Sequence, residues 1–243
     1  MKRTGKKRLF AAALAAAAAA ARAEQAWFSQ IVSAEAAPKL RVTLSNTVYT
    51  EHGEHFANEE GANFRYSFAP GWSAGAGVCY GQDRVLRGAD ADGADAPADA
   101  KTGPDGARHH WVFHHRPTEH VSVDWRGSFG GWDLADANRF DLYFRKGERD
   151  WPLYRNIASL FAPAVQSLPW EPRPYLTQQI YFTGREGLSG PDRFCQFRWG
   201  AGLRVRPAEN LFVSAYWQYR DIESDDGRWN SFRVAGLSTS LTF

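Results

Sequence analysis

The 243 residues carry 29 Lys and Arg against 27 Asp and Glu, 14% aromatic residues with ten Trp, and two Cys, at a mean hydropathy of −0.49. Residues 1–23 hold six of the basic groups and no acid, which leaves 23 basic and 27 acidic residues beyond them, a formal charge of −4. This excludes nucleic acid as an electrostatic partner, a disulfide framework, and a membrane helix after residue 23, where no apolar run is long enough to span.

Residues 1–8 carry Lys2, Arg3, Lys6, Lys7 and Arg8. An Ala-rich apolar run follows from Leu9, and Ala21-Arg22-Ala23 is a small-x-small site. This is the layout of a secretory signal peptide, with cleavage expected before Glu24. Residues 24–243 are then one domain, exported and of a length that suits a single β unit.

Ten segments alternate apolar and polar residues with a period of two, the mark of a strand with two different faces. The first is 39–49, with Leu40, Val42 and Leu44 against Arg41, Thr43 and Ser45. The second is 63–69, with Phe64, Tyr66 and Phe68 against Arg65 and Ser67. Pro70-Gly71 turns the chain into 72–82, with Trp72, Ala74, Ala76, Val78 and Tyr80 on one face. The fourth and fifth, 109–116 and 119–128, are separated by an expected turn at Pro117-Thr118. The sixth, 138–146, sets Phe140, Leu142 and Phe144 against Arg139, Asp141 and Arg145.

Residues 147–174 contain five prolines and are expected to form no central strand; 154–161 could make one or two helical turns. The seventh strand is 175–183. The eighth, 193–206, sets Phe197, Trp199, Ala201, Leu203 and Val205 against Arg198, Gly200, Gly202 and Arg204. The ninth is 211–220 and the tenth 230–243.

The tenth strand ends on Phe243, with Leu241, Thr239, Leu237 and Ala235 on its face and Thr242, Ser240, Ser238 and Gly236 on the other. An apolar strand face ending on a terminal aromatic fits an outer-membrane barrel, and the barrel-insertion machinery is the expected reader of that terminus. With the first strand running up from the periplasm, the long polar connections fall outside and the short ones inside. Both termini are then periplasmic and the count is even. Residues 147–174 break this rule and could hide a further strand pair. The expectation is an all-β, antiparallel transmembrane barrel of about ten strands, with twelve as the alternative. A soluble β-sandwich shares the alternation; the signal peptide and Phe243 favour outer-membrane lipid as the partner.

Several landmarks resemble a family of Gram-negative outer-membrane barrels known as domain-of-unknown-function family 2490. They are Trp27, Asn138-Arg139-Phe140, Pro174-Tyr175-Leu176, Arg198-x-Gly200-x-Gly202 and the closing Leu241-x-Phe243. That family often carries a glutamate after Pro-Tyr-Leu, where this chain has Gln178 and Gln179. The resemblance implies a fold and a location, and no activity.

Charged residues on a lipid face cost about 2–4 kcal/mol each near the midplane, which places Arg65, Asp124, Arg126, Arg139, Asp141, Arg198 and Arg204 in the lumen. Asp124 and Asp141 could form a carboxylate pair, but the arginines sharing their wall favour charge-paired packing. His52, His55, His109 and His110 lie at the outer end of this topology and could bind zinc or copper. Asp90, Asp92 and Asp95 resemble part of a calcium loop without its closing Glu. Cys79 and Cys195 fall on opposite faces and are expected to be free thiols. Phosphate loops, nucleophile elbows and HExxH are absent from the sequence. No cofactor and no enzyme activity are expected. About ten strands enclose little space, so a side-chain-filled lumen with a structural or ligand-binding role is the leading expectation. The rivals are an outer-membrane enzyme acting on lipid or lipopolysaccharide and a soluble periplasmic binding protein.

Overall fold

Alternating side chains force each strand to present two surfaces, and the register of this chain sorts those surfaces into the inside and outside of a closed ring. The computed structural model describes residues 23–51, 54–88, 101–102, 108–144, 151–183, 194–223 and 228–243. All regular structure among them is β-strand: β1 (Gln25–Ala37), β2 (Leu40–Glu51), β3 (Glu54–Ala69), β4 (Trp72–Gly88), β5 (Lys101–Thr102), β6 (Arg108–Phe129), β7 (Trp132–Tyr143), β8 (Trp151–Phe161), β9 (Arg173–Thr183), β10 (Phe194–Ala208), β11 (Leu211–Glu223) and β12 (Trp229–Thr242).

Sequential long strands pair antiparallel, and β4 passes over β5 to pair with β6. The ring is completed where β1 and β12 pair in parallel, from Gln25 opposite Val234 to Ser33 opposite Thr242. Eleven strands make this wall; β5 touches only the loop end of β6, at His109 and Arg108, beyond the last residue that β7 reaches. An odd number of up-and-down strands leaves the first and last running the same way, so only a parallel pair can close them.

The count falls between ten and twelve because three local expectations fail. Pro117-Thr118 is no turn: β6 runs through it, so 109–116 and 119–128 are one strand. Pro117 lacks an N–H, but its carbonyl accepts from Phe144 at 3.1 Å just where the β7 ladder ends, so the missing donor costs one terminal rung. Residues 154–161 are not helical but belong to β8. β1 is a strand that the alternation did not announce.

The first two failures cancel in direction. Residues 129–137, expected as an outer loop, instead hold the tight turn at Gly130-Gly131, where both residues have positive φ. The chain regains its phase because β8 descends within 147–174. The termini do not share an end either. Phe243 lies at the end with the tight turns, whereas Gln25 pairs with Glu51 at the end with the long connections. These ends are called the turn end and the loop end below.

Contacts between non-neighbouring strands show which face points inward. Arg65 of β3 reaches Asp124 of β6 across β4, and Arg198 of β10 lies over the Trp27 ring of β1. Burial follows the same parity. From His115 to Asp124, Thr118, His120, Ser122 and Asp124 are buried, while Pro117, Glu119, Val121 and Val123 between them are exposed. The inward side chains point into the bore. The outward ones form an exposed apolar belt that includes Leu44, Phe64, Val121, Phe140, Leu176 and Trp199, each more than half exposed.

Glycines on the inner face of β4 make room for these side chains. A Cβ on Gly77 would strike the Ala62 backbone carbonyl and come within 2.6 Å of the His120 ring. Gly77→Ala should therefore destabilise the barrel by about 1–3 kcal/mol. Gly81→Ala, whose Cβ would meet only Arg116 at 3.4 Å, should be nearly neutral. Urea midpoints followed by tryptophan fluorescence check the contrast, and equal midpoints would contradict the packing.

Candidate functional site: the bore

The bore is assembled from charged and aromatic side chains that the wall strands aim at one another. At mid-height Asp141 of β7 is only 2% exposed. Arg139 Nε donates to its Oδ1 at 2.5 Å, a second Arg139 nitrogen pairs with the same oxygen, and Arg155 Nε of β8 lies 3.4 Å from Oδ2. Arg139 also donates to the Cys79 thiol at 3.6 Å. Beside this cluster His120 is buried, with Nε2 2.9 Å from the Asn63 amide of β3. Gly75 and Gly77 on the intervening strand leave the room for Asn63 and Arg65 to cross.

A second group packs against the β1–β12 seam. Trp27 meets Tyr49 edge-on with centroids 5.2 Å apart. The Arg198 guanidinium lies 5.0 Å from the Trp27 ring and 4.7 Å from the Tyr181 ring, and Arg220 lies 5.8 Å from Trp27. Arg220 donates to Gln25 Oε1 at 3.4 Å, and the Gln196 amide oxygen, oriented by its partners, accepts from both Arg198 and Arg220. Cation–π stacking and amide acceptors thus take the place of carboxylates for these two arginines.

The turn end is different. Arg65 pairs with Asp124 at 2.8 Å. Arg204 lies 4.5 Å from the Phe161 ring and donates to Ser214 Oγ at 3.3 Å. Arg173 pairs with Asp133 at 2.5 Å at the rim. Arg41 and Arg126 point inward by register and are exposed to solvent.

All seven residues assigned to the lumen from sequence lie on the inward face. Arg139, Asp141 and Arg198 are at mid-height; Arg65, Asp124, Arg126 and Arg204 are nearer the turn end. Asp124 and Asp141 do not form a dyad: Asp141 stands opposite His120, four positions along β6 from Asp124, and each carboxylate has its own arginine. Sequence reasoning missed Arg155, Arg220, Tyr181, Tyr49 and Trp27. Extending the inward parity of Gly200 across the β10–β11 register reaches Gln218 and then Arg220, so that one was within reach.

The metal candidates are not assembled by what is described. His52 and the aspartates 90, 92 and 95 lie outside the described residues, while His55, His109 and His110 are placed in β3 and β6 near the loop end. Among the described residues no group of three His, Cys, Asp or Glu could hold a metal ion. Both cysteines are free; Cys79 faces the bore, and Cys195 sits in a bulge with its thiol 3.7 Å from the Tyr181 carbonyl.

One stretch of the outer face departs from the apolar pattern. Asp136, Asn138, Tyr154 and Asn156 face outward on β7 and β8 and bond to each other. Asn156 donates to Asp136 at 2.6 Å, Asn138 to Asp136 at 2.9 Å, and Tyr154 to Asn138 at 2.6 Å. The network satisfies itself within the wall.

No protein-family model matches the chain, and no curated protein matches it. Among solved structures the chain is similar to the beta domain of the Bordetella autotransporter Brka, at 13% identity over 83% of this chain and 84% of that one, with a TM-score of 0.47. It is also similar to NanC porin, at 9% identity over 90% of this chain and 98% of that one, with a TM-score of 0.49.

The Asp141 cluster carries a clear expectation. Asp141→Ala leaves Arg139 and Arg155 buried without their carboxylate and should cost about 3–5 kcal/mol. Asp133→Ala breaks a partly exposed rim pair and should cost less than about 1 kcal/mol. Denaturant midpoints of the refolded barrels decide it; similar losses would mean the mid-bore pair is not the stronger.

Proposed function

We propose that this chain is an exported outer-membrane barrel whose lumen is closed by its own side chains and whose role is structural or ligand-binding. The observation that carries the reading is the inversion of its two faces. Val121, Phe140, Leu176 and Trp199 are exposed on the outside, while Asp124, Asp141, Gln218 and Ser214 are buried on the inside. In water this arrangement would expose a continuous apolar girdle, far beyond the patches a soluble monomer tolerates. In a bilayer the girdle is solvated by lipid.

The girdle has the right height. On β10 the outward residues from Phe197 to Val205 span about 26 Å along the strand at roughly 3.3 Å per residue. Tilted by about 40°, that is about 20 Å along the axis before side-chain reach is added, close to the apolar band of such barrels. Polar outward residues such as Glu60, Glu119 and Arg233 lie on the loop-end side of it.

The loop end then faces outward from the cell and the turn end the periplasm. Residues 1–23 act as a cleaved signal peptide in this reading, and two of the landmarks that suggest the family resemblance meet in the bore, where Arg198 stacks on Trp27. The mid-bore residues Trp27, Tyr181, Gln196 and Gln218 are each less than 9% exposed, which supports side-chain packing across the bore at that height.

The strand that ends at Phe243 is tied into the seam, and in this reading it is the segment that the insertion machinery recognises. Phe243 faces outward, 67% exposed, while its backbone N–H donates to Ser33 at 2.8 Å and its carbonyl accepts from Glu35. Deleting Phe243 should lower the yield of folded, membrane-inserted protein far more than Thr242→Ala. Equal yields would make the terminus an ordinary strand end.

Fractionation and planar-bilayer recording test the proposal together. The protein should sediment with outer membranes, show heat-modifiable gel migration after detergent extraction, and give no steady conductance. Recovery in the soluble periplasmic fraction would remove the membrane reading, and a large steady conductance would remove the closed bore.

A further inference from the structure

We propose that the turn-end mouth of the bore is a cup that binds a small soluble anion bearing a phosphate or carboxylate group. The cup is built by Arg41 of β2, Arg65 of β3, Arg126 of β6 and Arg204 of β10, all within a few residues of the turn end and all on the inward face. Four guanidiniums from four strands face the mouth there, and the two inward carboxylates at this end are already spent, Asp124 on Arg65 at 2.8 Å and Asp133 on Arg173 at 2.5 Å. Arg126 lies within electrostatic reach of Arg65, Arg41 and Arg204 together.

Like charges do not gather in this way without cost. Outside residues 1–23 the chain has a formal charge of −4, so a surplus of positive charge at one mouth opposes the overall balance. Elsewhere in the bore the described arginines are neutralised or stacked: Arg139 and Arg155 on Asp141, Arg198 and Arg220 on Trp27, Arg116 on Tyr143. At the mouth Arg41 and Arg126 have no carboxylate within 4.0 Å among the described residues, and both are open to solvent. The Nε of Arg65 is buried with no partner. Planar guanidinium forks with free donors match the paired oxygens of a carboxylate or a phosphate.

The shape of the bore sets the kind of ligand. The cup opens along the barrel axis, because its floor is the buried Asp141 cluster and its side is the hydrogen-bonded wall. An anion therefore enters from the aqueous phase at the turn end and leaves by the same mouth. A lipid phosphate, which would have to come sideways through the wall, does not fit this geometry. The inference rests on the closed bore proposed above and does not depend on what surrounds the outer belt.

The test uses the full folded barrel in phosphate-free neutral detergent, titrated at low salt with inorganic phosphate in a calorimeter. Saturable binding is expected, weakening as salt rises. The double variant Arg41→Gln, Arg126→Gln should bind at least about tenfold more weakly, the loss of two charge-assisted contacts. Arg206→Gln, whose side chain is held by Glu171 at 2.7 Å, should bind within about twofold of the parent. Both altered cup residues are exposed, and retained heat-modifiable migration confirms that each variant folds. A folded parent with no saturable binding overturns the cup, as does a double variant that binds like the parent. Displacement of phosphate by equimolar phosphatidylglycerol in the micelle also overturns it, by making a lipid headgroup the ligand. A steady conductance in the parent is a separate signal and counts against the closed bore.

Discussion

Every backbone N–H and C=O in the wall has to find a partner on a neighbouring strand, and this demand organises the rest of the barrel. An open sheet of this length would leave two unpaired edges, and in lipid each unpaired group costs several kcal/mol. The chain removes both edges at one seam, where β1 runs alongside β12 in parallel from Gln25 to Ser33. Parallel pairing is slightly weaker per residue than antiparallel, so the seam is reinforced from inside. Trp27, Tyr49, Arg198 and Arg220 stack over it, and Gln25 bonds to both Arg220 and Glu51.

Closure with eleven strands also fixes what the lumen can be. A ring of eleven strands is wider than the roughly eight-stranded one that ordinary side chains just fill, so long inward groups are needed to reach across it. Large inward groups are matched by glycines on the facing strand: Tyr175 over Gly202, and Tyr216 over Gly236. Charge is then handled by neighbours and not by water. Asp141 serves two arginines, aromatic faces serve Arg198, Arg204 and Arg220, and the surplus collects at the turn-end mouth, where solvent can still reach it. The same arrangement leaves the turn-end mouth rich in arginine.

The legibility of the strands in the sequence depended on how different their two faces were. β3, β4, β10 and β12 set small or charged residues against aromatic and aliphatic ones, and their alternation placed them. β1 and β8 put Trp27, Ile31, Leu153, Ile157 and Phe161 into the bore and Gln30 and Asn156 outside, so the contrast that marks a strand was lost. Pro117 looked like a turn because its tolerance depends on where β7 stops, a fact about a different part of the chain. Parity located the inward arginines, but not their partners. Arg65 finds Asp124 by crossing β4, and that choice depends on stagger and on the space above Gly75.

In the proposed function the outer face lies in lipid and the inner face is closed to water. Single cysteines along β6, in a protein with Cys79 and Cys195 replaced by Ser, test both halves at once. Val121→Cys and Val123→Cys should react with a lipid-soluble maleimide in reconstituted membranes and resist a charged aqueous one, whereas Thr118→Cys and Ser122→Cys should resist both. Reaction of the Val121 and Val123 positions with the aqueous reagent would contradict the membrane belt, and reaction of the Thr118 and Ser122 positions with it would contradict the closed bore.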